Sequence, residues 1–314
     1  MNQNEQPNSS PITISCASTA PELFTQFRIK TYPAMPVPLN AGERPAEEWD
    51  IIDIRAIGVG TLGSRMLQLL SQNLAGITCH EVIHDVEQEP SGDMAALVSS
   101  VQSCDLLFIV TGFDDDYCES IAQTLGRASC GAGVLTLVVA PPAGMVQIPY
   151  QCNDGTGKWH DTIFSVSDNC LPICEEPIPT VSETIISDSM PQLVAAITNL
   201  ITHRTCIGVD FNDIIRIMHE GNFGKMGIGI ATGTDNASVA AKRATEHLRT
   251  QGVDISTALG VLAVVHGSSE LTMDDFDSAS MVIHEHISPD ANIIIGLDEG
   301  HIGHSVKATI LTVH

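Results

Sequence analysis

Positive charge is the scarcest feature of this chain. Across 314 residues there are 14 Lys and Arg against 38 Asp and Glu, a formal net charge of -24, and no basic run interrupts the acidic field. A phosphate backbone or an anionic membrane surface would be repelled on approach, so direct nucleic-acid binding and direct membrane binding are excluded as expectations. Long apolar runs are missing too. No stretch reaches the ~20 residues of a membrane-spanning helix, and the opening Met1-Asn2-Gln3-Asn4-Glu5 has neither the basic nor the apolar region of a secretory signal. The expected location is cytoplasmic. Aromatics make up only 4% of the chain, which leaves Val, Ile, Leu and Ala to pack a sheet-and-helix core. Nine cysteines at irregular spacing include Cys170 and Cys174 but no Cys-x-x-Cys pair, which argues for buried reduced thiols over a disulfide framework or a zinc ribbon. No metal site is expected. His284-x-His286 falls on an expected helix, where two steps turn the rings roughly 200° apart, a poor arrangement for shared ligation.

What is present is an alternation of strands and helices. Residues 1 to 50 carry a polar tip and a proline-rich stretch, and read as a partly disordered N-terminal extension. From Ile51 to Gly58 a strand is expected, then a helix over Ser64 to Leu74 with Met66, Leu67, Leu70 and Leu74 on one face. Strands at Asp105 to Thr111 and Val134 to Ala140 flank a helix from Tyr117 to Ala128, and Asp161 to Val166 adds a further strand. Residues 51 to 188 are therefore expected to be an α/β, doubly wound parallel-sheet domain of the nucleotide-binding type. Residues 189 to 206 read as a long central helix, with Leu193, Val194, Ile197, Leu200 and Ile201 in one stripe, Pro191 in the first turn, and Ser189 or Asp188 as the cap. The stripe reads as core packing. Residues 207 to 314 form a smaller α+β domain, with strands at Gly227 to Gly233, Gly260 to His266, Asn292 to Leu297 and Val306 to Val313, and helices at Asn236 to Gln251 and Met273 to His286.

Three constellations carry chemistry. Gly58-x-Gly60-Thr61-x-Gly63 follows a strand and opens a helix, a spacing that suits a phosphate at a helix N-terminus and equally a dinucleotide site. Glu81 and Asp85 lie near the distance at which a dinucleotide site places its ribose acid, so an NAD-dependent enzyme is one alternative. Gly112 is followed by Phe113 and the run Asp114-Asp115-Asp116 at the start of the Tyr117 helix. Each aspartate favours the positive helix end by ~0.3–1 kcal/mol, so the run suffices as an acidic cap without a ligand. It could also meet a triphosphate through Mg²⁺. Asp210 and Asp213, three apart, begin another helix and either cap it or orient a water.

Val209-Asp210-Phe211-Asn212-Asp213-Ile214 with Ile217-Met218, then Met226-Gly227-Ile228-Gly229-Ile230-Ala231-Thr232-Gly233, resemble the tubulin/FtsZ superfamily, in particular FtsZ. Gly260-Val261-Leu262, Asp274-Asp275-Phe276 and Ala291-Asn292-Ile293-Ile294-Ile295-Gly296 recur at the family's spacing, so that the likeness covers about the last hundred residues. In the first half Ile57-Gly58-Val59-Gly60 and Gly63 are similar to the family's first phosphate loop. The Gly-Gly-Gly-Thr-Gly-Thr-Gly signature is replaced by Gly112 to Tyr117.

The resemblance implies a cytoskeletal protein that binds GTP or GDP with Mg²⁺ and assembles head to tail with itself or with an FtsZ-type relative. It implies that Gly58, Gly60, Thr61, Gly63 and Gly112 meet the nucleotide, that Asp85 takes the acidic place in the second loop, and that Asp188 pairs with guanine. It further implies that Asp210 and Asp213 reach a neighbour's γ-phosphate to polarise water, with Gly208 where an asparagine is usual. The altered signature points to weakened or lost hydrolysis. The chain stops at His314 directly after its last expected strand, without the linker and adaptor peptide of FtsZ, so tethering to membrane adaptors is not expected.

Overall fold

Strands buried on both faces and helices with one apolar stripe dictate the architecture. The computed structural model describes residues 27–36, 52–84, 93–113, 115–141, 158–166, 189–202, 207–233, 236–267, 271–299 and 305–314. Ten strands form one sheet: β1 Phe27–Tyr32, β2 Ile54–Val59, β3 Ile77–His84, β4 Leu106–Thr111, β5 Leu135–Ala140, β6 Thr162–Ser165, β7 Phe223–Thr232, β8 Gly260–Gly267, β9 Asn292–Glu299 and β10 Ser305–Val313. Their spatial order is β1-β3-β2-β4-β5-β6-β7-β10-β8-β9. From β3 to β7 all pairs are parallel, whereas β1 runs antiparallel to β3, and β10 runs antiparallel to both β7 and β8. The helices are α1 Gly60–Asn73, α2 Met94–Val101, α3 Asp116–Gly131, α4 Ser189–Thr202, α5 Phe211–Met218, α6 Asn236–Thr250 and α7 Met273–His284.

Alternate residues of each strand project to opposite faces, and the two faces have different covers. Ile54, Ala56, Leu106, Phe108, Val110, Leu137 and Val139 pack with α1, α4 and α5. Ile57, Val59, Leu107, Ile109 and Val138 pack with α2 and α3 on the opposite face. The same division continues into the second half: Met226, Ile228 and Ile230 of β7 join the face of α4 and α5, while Ala231, Val261, Ala263 and Val265 meet α6 and α7. The sheet is thus wound on both sides, as two-sided burial of parallel strands requires. Each fully buried aliphatic contributes ~1.5–3 kcal/mol.

Three elements went unread in the sequence: β1, β3 and α2. β3 contains His80 and Glu81, both buried, and such residues read as solvent-facing until their partners are known. Gln68 of α1 donates to Glu81 Oε1 at 2.7 Å, and His80 Nδ1 lies 3.0 Å from Thr31 Oγ1 of β1. Part of the extension is therefore the strand that receives β3, along Phe27–Tyr32. The short α2 is set by Asp93, whose carboxylate accepts from the amides of Ala95 and Ala96 at 2.9 and 3.2 Å. The strand expected to begin at Gly227 begins at Phe223, and the helix expected from Ser64 begins at Gly60.

The Met-Gly-x-Gly-x-Ala strand has a packing cause. On β7 the large side chains face α4 and α5, and Gly227 and Gly229 face α6, which lays Ala237, Ala240, Ala241 and Ala244 against them. A Cβ on Gly229 would come 2.2 Å from the Ala240 carbonyl oxygen and 2.4 Å from the Ala244 nitrogen. Backbone cannot move aside as a side-chain tip can, so Gly229→Ala should lower unfolding free energy by about 2 kcal/mol or more in a urea titration. A variant as stable as the parent would show that α6 does not seat so closely.

His160 makes a second prediction. It is 1% exposed, stacks edge-on against Trp159 with ring centroids 4.9 Å apart, and neither ring nitrogen has a partner among the described residues. Burial first, then the Lys158 charge, push its pKa down to about 4. Above an unfolded-state value near 6.5 both states are neutral and nothing is lost. Between 6.5 and 4 the unfolded chain binds a proton that the folded one refuses, so stability falls with falling pH by roughly 3 kcal/mol and levels below 4. His160→Phe should flatten the slope of stability against pH in that window by about one proton, and an unchanged slope would assign the acid sensitivity elsewhere.

Candidate functional site

The sheet order identifies where a ligand can sit. From β2 the chain passes through α1 to β3 on one side, and from β4 through α3 to β5 on the other. α1 lies on one face and α3 on the opposite face, so a crevice opens beyond the carboxyl ends of β2 and β4, the switch point at which doubly wound sheets take ligands. Val59 pairs with Thr111, which puts Gly60 and Gly112, the first residues after each, side by side. Of the expected site residues, Gly58, Gly60, Thr61, Gly63, Gly112, Asp115 and Asp116 therefore converge on this crevice. Asp85, Asp114 and Asp188 lie outside the described residues.

The two helix starts at the crevice differ. α1 begins at Gly60, in the left-handed region at φ 77°, with no side-chain bond from its N-cap Val59 and no acidic residue in its first turn. Gly58 and Gly63 are needed for close approach: a Cβ on Gly58 would meet the Gly63 carbonyl oxygen at 2.4 Å, and one on Gly63 would meet that of Val110 at 2.2 Å. They hold α1 against β2 and β4, and aim its N-terminus at the crevice.

At α3 the chain caps itself. Asp115 is the N-cap, its carboxylate accepting from the Cys118 amide at 2.7 Å, and Asp116 and Glu119 fill the first turn. One residue group upstream, the Phe113 amide donates to Thr111 Oγ1 at 3.1 Å. Phe113 is the one non-glycine among the described residues with positive φ, at 52°, a conformation costing ~1–3 kcal/mol. Its ring offsets that by burial, 9% exposed and edge-on to Trp159 with centroids 6.3 Å apart. Trp159 is itself fully buried and locked against α3, where a Cβ on Gly126 would come 2.1 Å from its carbonyl oxygen. Beside it, burial first, then Cys118 and Asp115, push the Tyr117 phenol up to about 12, so its hydroxyl stays protonated. Thr111, Phe113 and Trp159 were not singled out in the sequence; a phenylalanine in the second place of a glycine signature was the available signal.

The acidic loop forms a separate site. Asp210 is the N-cap of α5 and accepts from the Asp213 amide at 2.8 Å, while Asp213 accepts from the Asp210 amide at 3.2 Å. This reciprocal capping box fixes both carboxylates at one helix start, with Asp210 exposed and Asp213 half-buried. Ile214, Ile217 and Met218 pin the helix to the core. The approach is seated at Gly296, where a Cβ would strike Val209 Cγ2 at 2.8 Å, and Ile207 bridges to Leu297 of β9.

Comparison with known proteins finds likeness to one family. The FtsZ family, C-terminal domain, matches residues 223–312. Cell division protein FtsZ 1 of Rhizobium meliloti (strain 1021) is 28% identical over 226 residues, 68% of this chain and 38% of that protein. Cell division protein FtsZ 1 of Archaeoglobus fulgidus is 27% identical over 203 residues, 62% of this chain and 55% of that protein. The matched stretches thus span from well under half to just over half of those relatives' lengths. Among solved structures, an empty FtsZ dimer of M. jannaschii superposes with a TM-score of 0.66 at 19% identity, over 84% of this chain and 88% of that one. CetZ2 from Haloferax volcanii, a GTPgS-bound protofilament, gives 0.57 at 14% identity over 83% of this chain and 93% of that one.

Asp115→Ala should remove the α3 cap and lower stability by about 1 kcal/mol, read from a denaturant midpoint. A loss below a few tenths would mean that the Cys118 amide finds another acceptor.

Proposed function

Because the chain belongs to the tubulin/FtsZ superfamily, we propose that it is an FtsZ-like filament protein that joins its own kind or an FtsZ-type relative head to tail, with weak or absent GTP hydrolysis. One observation carries this reading: the amide end of α3, at the ligand crevice, is engaged by the chain's own Asp115.

A guanine nucleotide fits half of the crevice. The α1 start offers a glycine turn and a helix N-terminus to which the N-cap Val59 makes no side-chain bond, suited to a phosphate. The α3 start does not suit one. A phosphate oxygen brought within ~4 Å of a carboxylate is repelled by about 4 kcal/mol at an effective dielectric near 20, whereas a helix end attracts an anion by ~0.3–1 kcal/mol. Repulsion wins, and the terminal phosphate is the group held least well. Mg²⁺, when bound, would supply charge to shield the phosphates. Asp115 is already committed to an amide and is poorly placed to hold that ion.

Assembly is supported by the other site. Asp210 and Asp213 are anchored by each other's backbone, and Asp210 is exposed, so the α5 start can meet the nucleotide face of a neighbour in an open-ended, heterologous contact. That pair also favours the second reading, an active GTPase of the FtsZ type, in which the same carboxylates polarise the attacking water across the contact.

Titration with GTP and Mg²⁺, run beside pelleting with and without nucleotide and with an added FtsZ-type relative, separates the readings. The expected result is weak GTP binding, little turnover and pelleting that does not depend on GTP. Tight saturable binding with GTP-dependent pelleting establishes the second reading. Replacing Asp114, Asp115 and Asp116 together by glycine should raise GTP affinity by about tenfold, a gain near 1.4 kcal/mol; a fall would make the aspartates ligands.

A further inference from the structure

A sheet that does not close has two edges, here β1 at one end and β9 at the other. Sheet edges are ordinarily guarded by charge, proline or a covering segment, because a row of unpaired N–H and C=O groups accepts another strand. β9 is covered at one end only. The Leu297 amide donates to the Ile207 carbonyl at 3.2 Å and the Leu297 carbonyl accepts from the Ile207 amide at 3.3 Å, so Leu297 directs its backbone away from β8. Backbone direction repeats at every second residue of a strand. Ile293 and Ile295 therefore direct theirs the same way, and among the described residues neither has a backbone partner on that side. Their side chains are only half-buried, and residues 292–296 contain no charge and no proline.

β1 is the opposite kind of edge. Arg28 and Lys30 are exposed on one of its faces, two of the chain's 14 Lys and Arg within a strand of six residues. On its other face Phe27 and Ile29 pack toward α2 and α3. β9 divides in the same way. Ile293 and Ile295 lie on the face of α6 and α7, and Ile294 on that of α4 and α5. Carboxylates stand at the open end of β9: Asp290 is exposed just before it, and Glu220 accepts from the side-chain amide of Asn292. Arg216, which donates to Asn292 Oδ1 at 3.3 Å, is one cation against those two.

Strand direction selects the partner. β9 runs with β8, and β8 and β7 both run against β10, so β9 shares the direction of the parallel strands, whereas β1 opposes it. Two copies in the same orientation, set side by side, bring β9 of one to β1 of the next as an antiparallel pair with the sheet faces matched. We propose that the sheet extends from copy to copy in this way, the open edge of β9 taking β1 of a second copy as an added strand. Main-chain bonds supply the affinity and the side chains the choice of partner. Phe27 and Ile29 of the added strand meet Ile293 and Ile295 on one face, and Arg28 and Lys30 approach Asp290 and Glu220 on the other. Self-pairing of either edge is disfavoured, because two β1 strands oppose like cations and two β9 strands oppose like carboxylates. The contact is heterologous and does not close. It uses neither the crevice nor Asp210 and Asp213, so it joins molecules side by side whether or not they also join head to tail.

Hydrogen exchange of the whole chain, followed by peptide mass spectrometry at low and high protein concentration in low salt, tests the contact. Peptides covering residues 27–32 and 290–296 should both slow about tenfold or more as concentration rises, since outward amides become paired, and added salt should reverse part of the slowing. Ile293→Lys puts a charge on the open edge and should abolish the slowing at both peptides; its loss at 27–32, which the substitution does not touch, identifies the added strand. Asp290→Lys, at an exposed position outside the core, should raise the concentration for half-maximal slowing several-fold. Slowing confined to 290–296 overturns the choice of β1. No slowing at either peptide, the result expected of a head-to-tail contact alone, overturns the proposal, as does slowing that persists unchanged in both variants.

Discussion

Two pairs of residues hold the halves of this molecule in one sheet. Ile163 faces Phe223 and Phe164 faces Gly224 where β6 meets β7, and every strand to either side takes its place from that junction. The contact is short but well supported. A Cβ on Gly224 would lie 2.4 Å from Phe164 Cε1, so the glycine is the space that the ring occupies. Thr162 Oγ1 donates to the Met218 carbonyl at 2.6 Å, and the Ile163 amide donates to that of Asn222 at 2.9 Å. These bonds tie the end of α5 to β6, so the junction also sets where the acidic loop stands relative to the crevice beyond β2 and β4. A change at Gly224 would move one site against the other without touching either.

Glycine serves two purposes in the motifs. In β7 and at Gly58 and Gly63 it is removed bulk that lets a helix backbone lie on a strand. At Gly60 it is conformational freedom, the left-handed turn that starts α1. The first purpose survives whether or not a ligand is bound, which is why a glycine pattern is weak evidence for a nucleotide until the neighbouring helix start is inspected. Here the α1 and α3 starts separate the cases: the N-cap Val59 of one makes no side-chain bond, and the other is closed by Asp115 and the engaged Phe113 amide.

Carboxylates at the starts of α3, α5 and α7 follow one rule, that an exposed helix N-terminus takes an acceptor from the chain when it can. Asp115 acts alone, whereas Asp210 with Asp213 and Thr272 with Asp275 form reciprocal boxes. The capping role of Asp115, Asp210 and Asp213 was legible from residue type and spacing. The buried Phe113 ring was not, because a left-handed phenylalanine is stable only with Trp159 beneath it, a residue 46 positions away whose place depends on β6.

The sequence by itself determined the kinds and order of the elements other than β1, β3 and α2, the family likeness and the acidic helix starts, because periodicity, glycine placement and capping act over a few residues. Tertiary structure alone decided the strand order, the burial of His80 and Glu81 beside Thr31 and Gln68, and the placing of β1 and β9 at the two edges. Those features arise from register between strands far apart in the chain. Shifting one strand by a single residue would send its side chains to the other face, and no local pattern records which register the packed core selects.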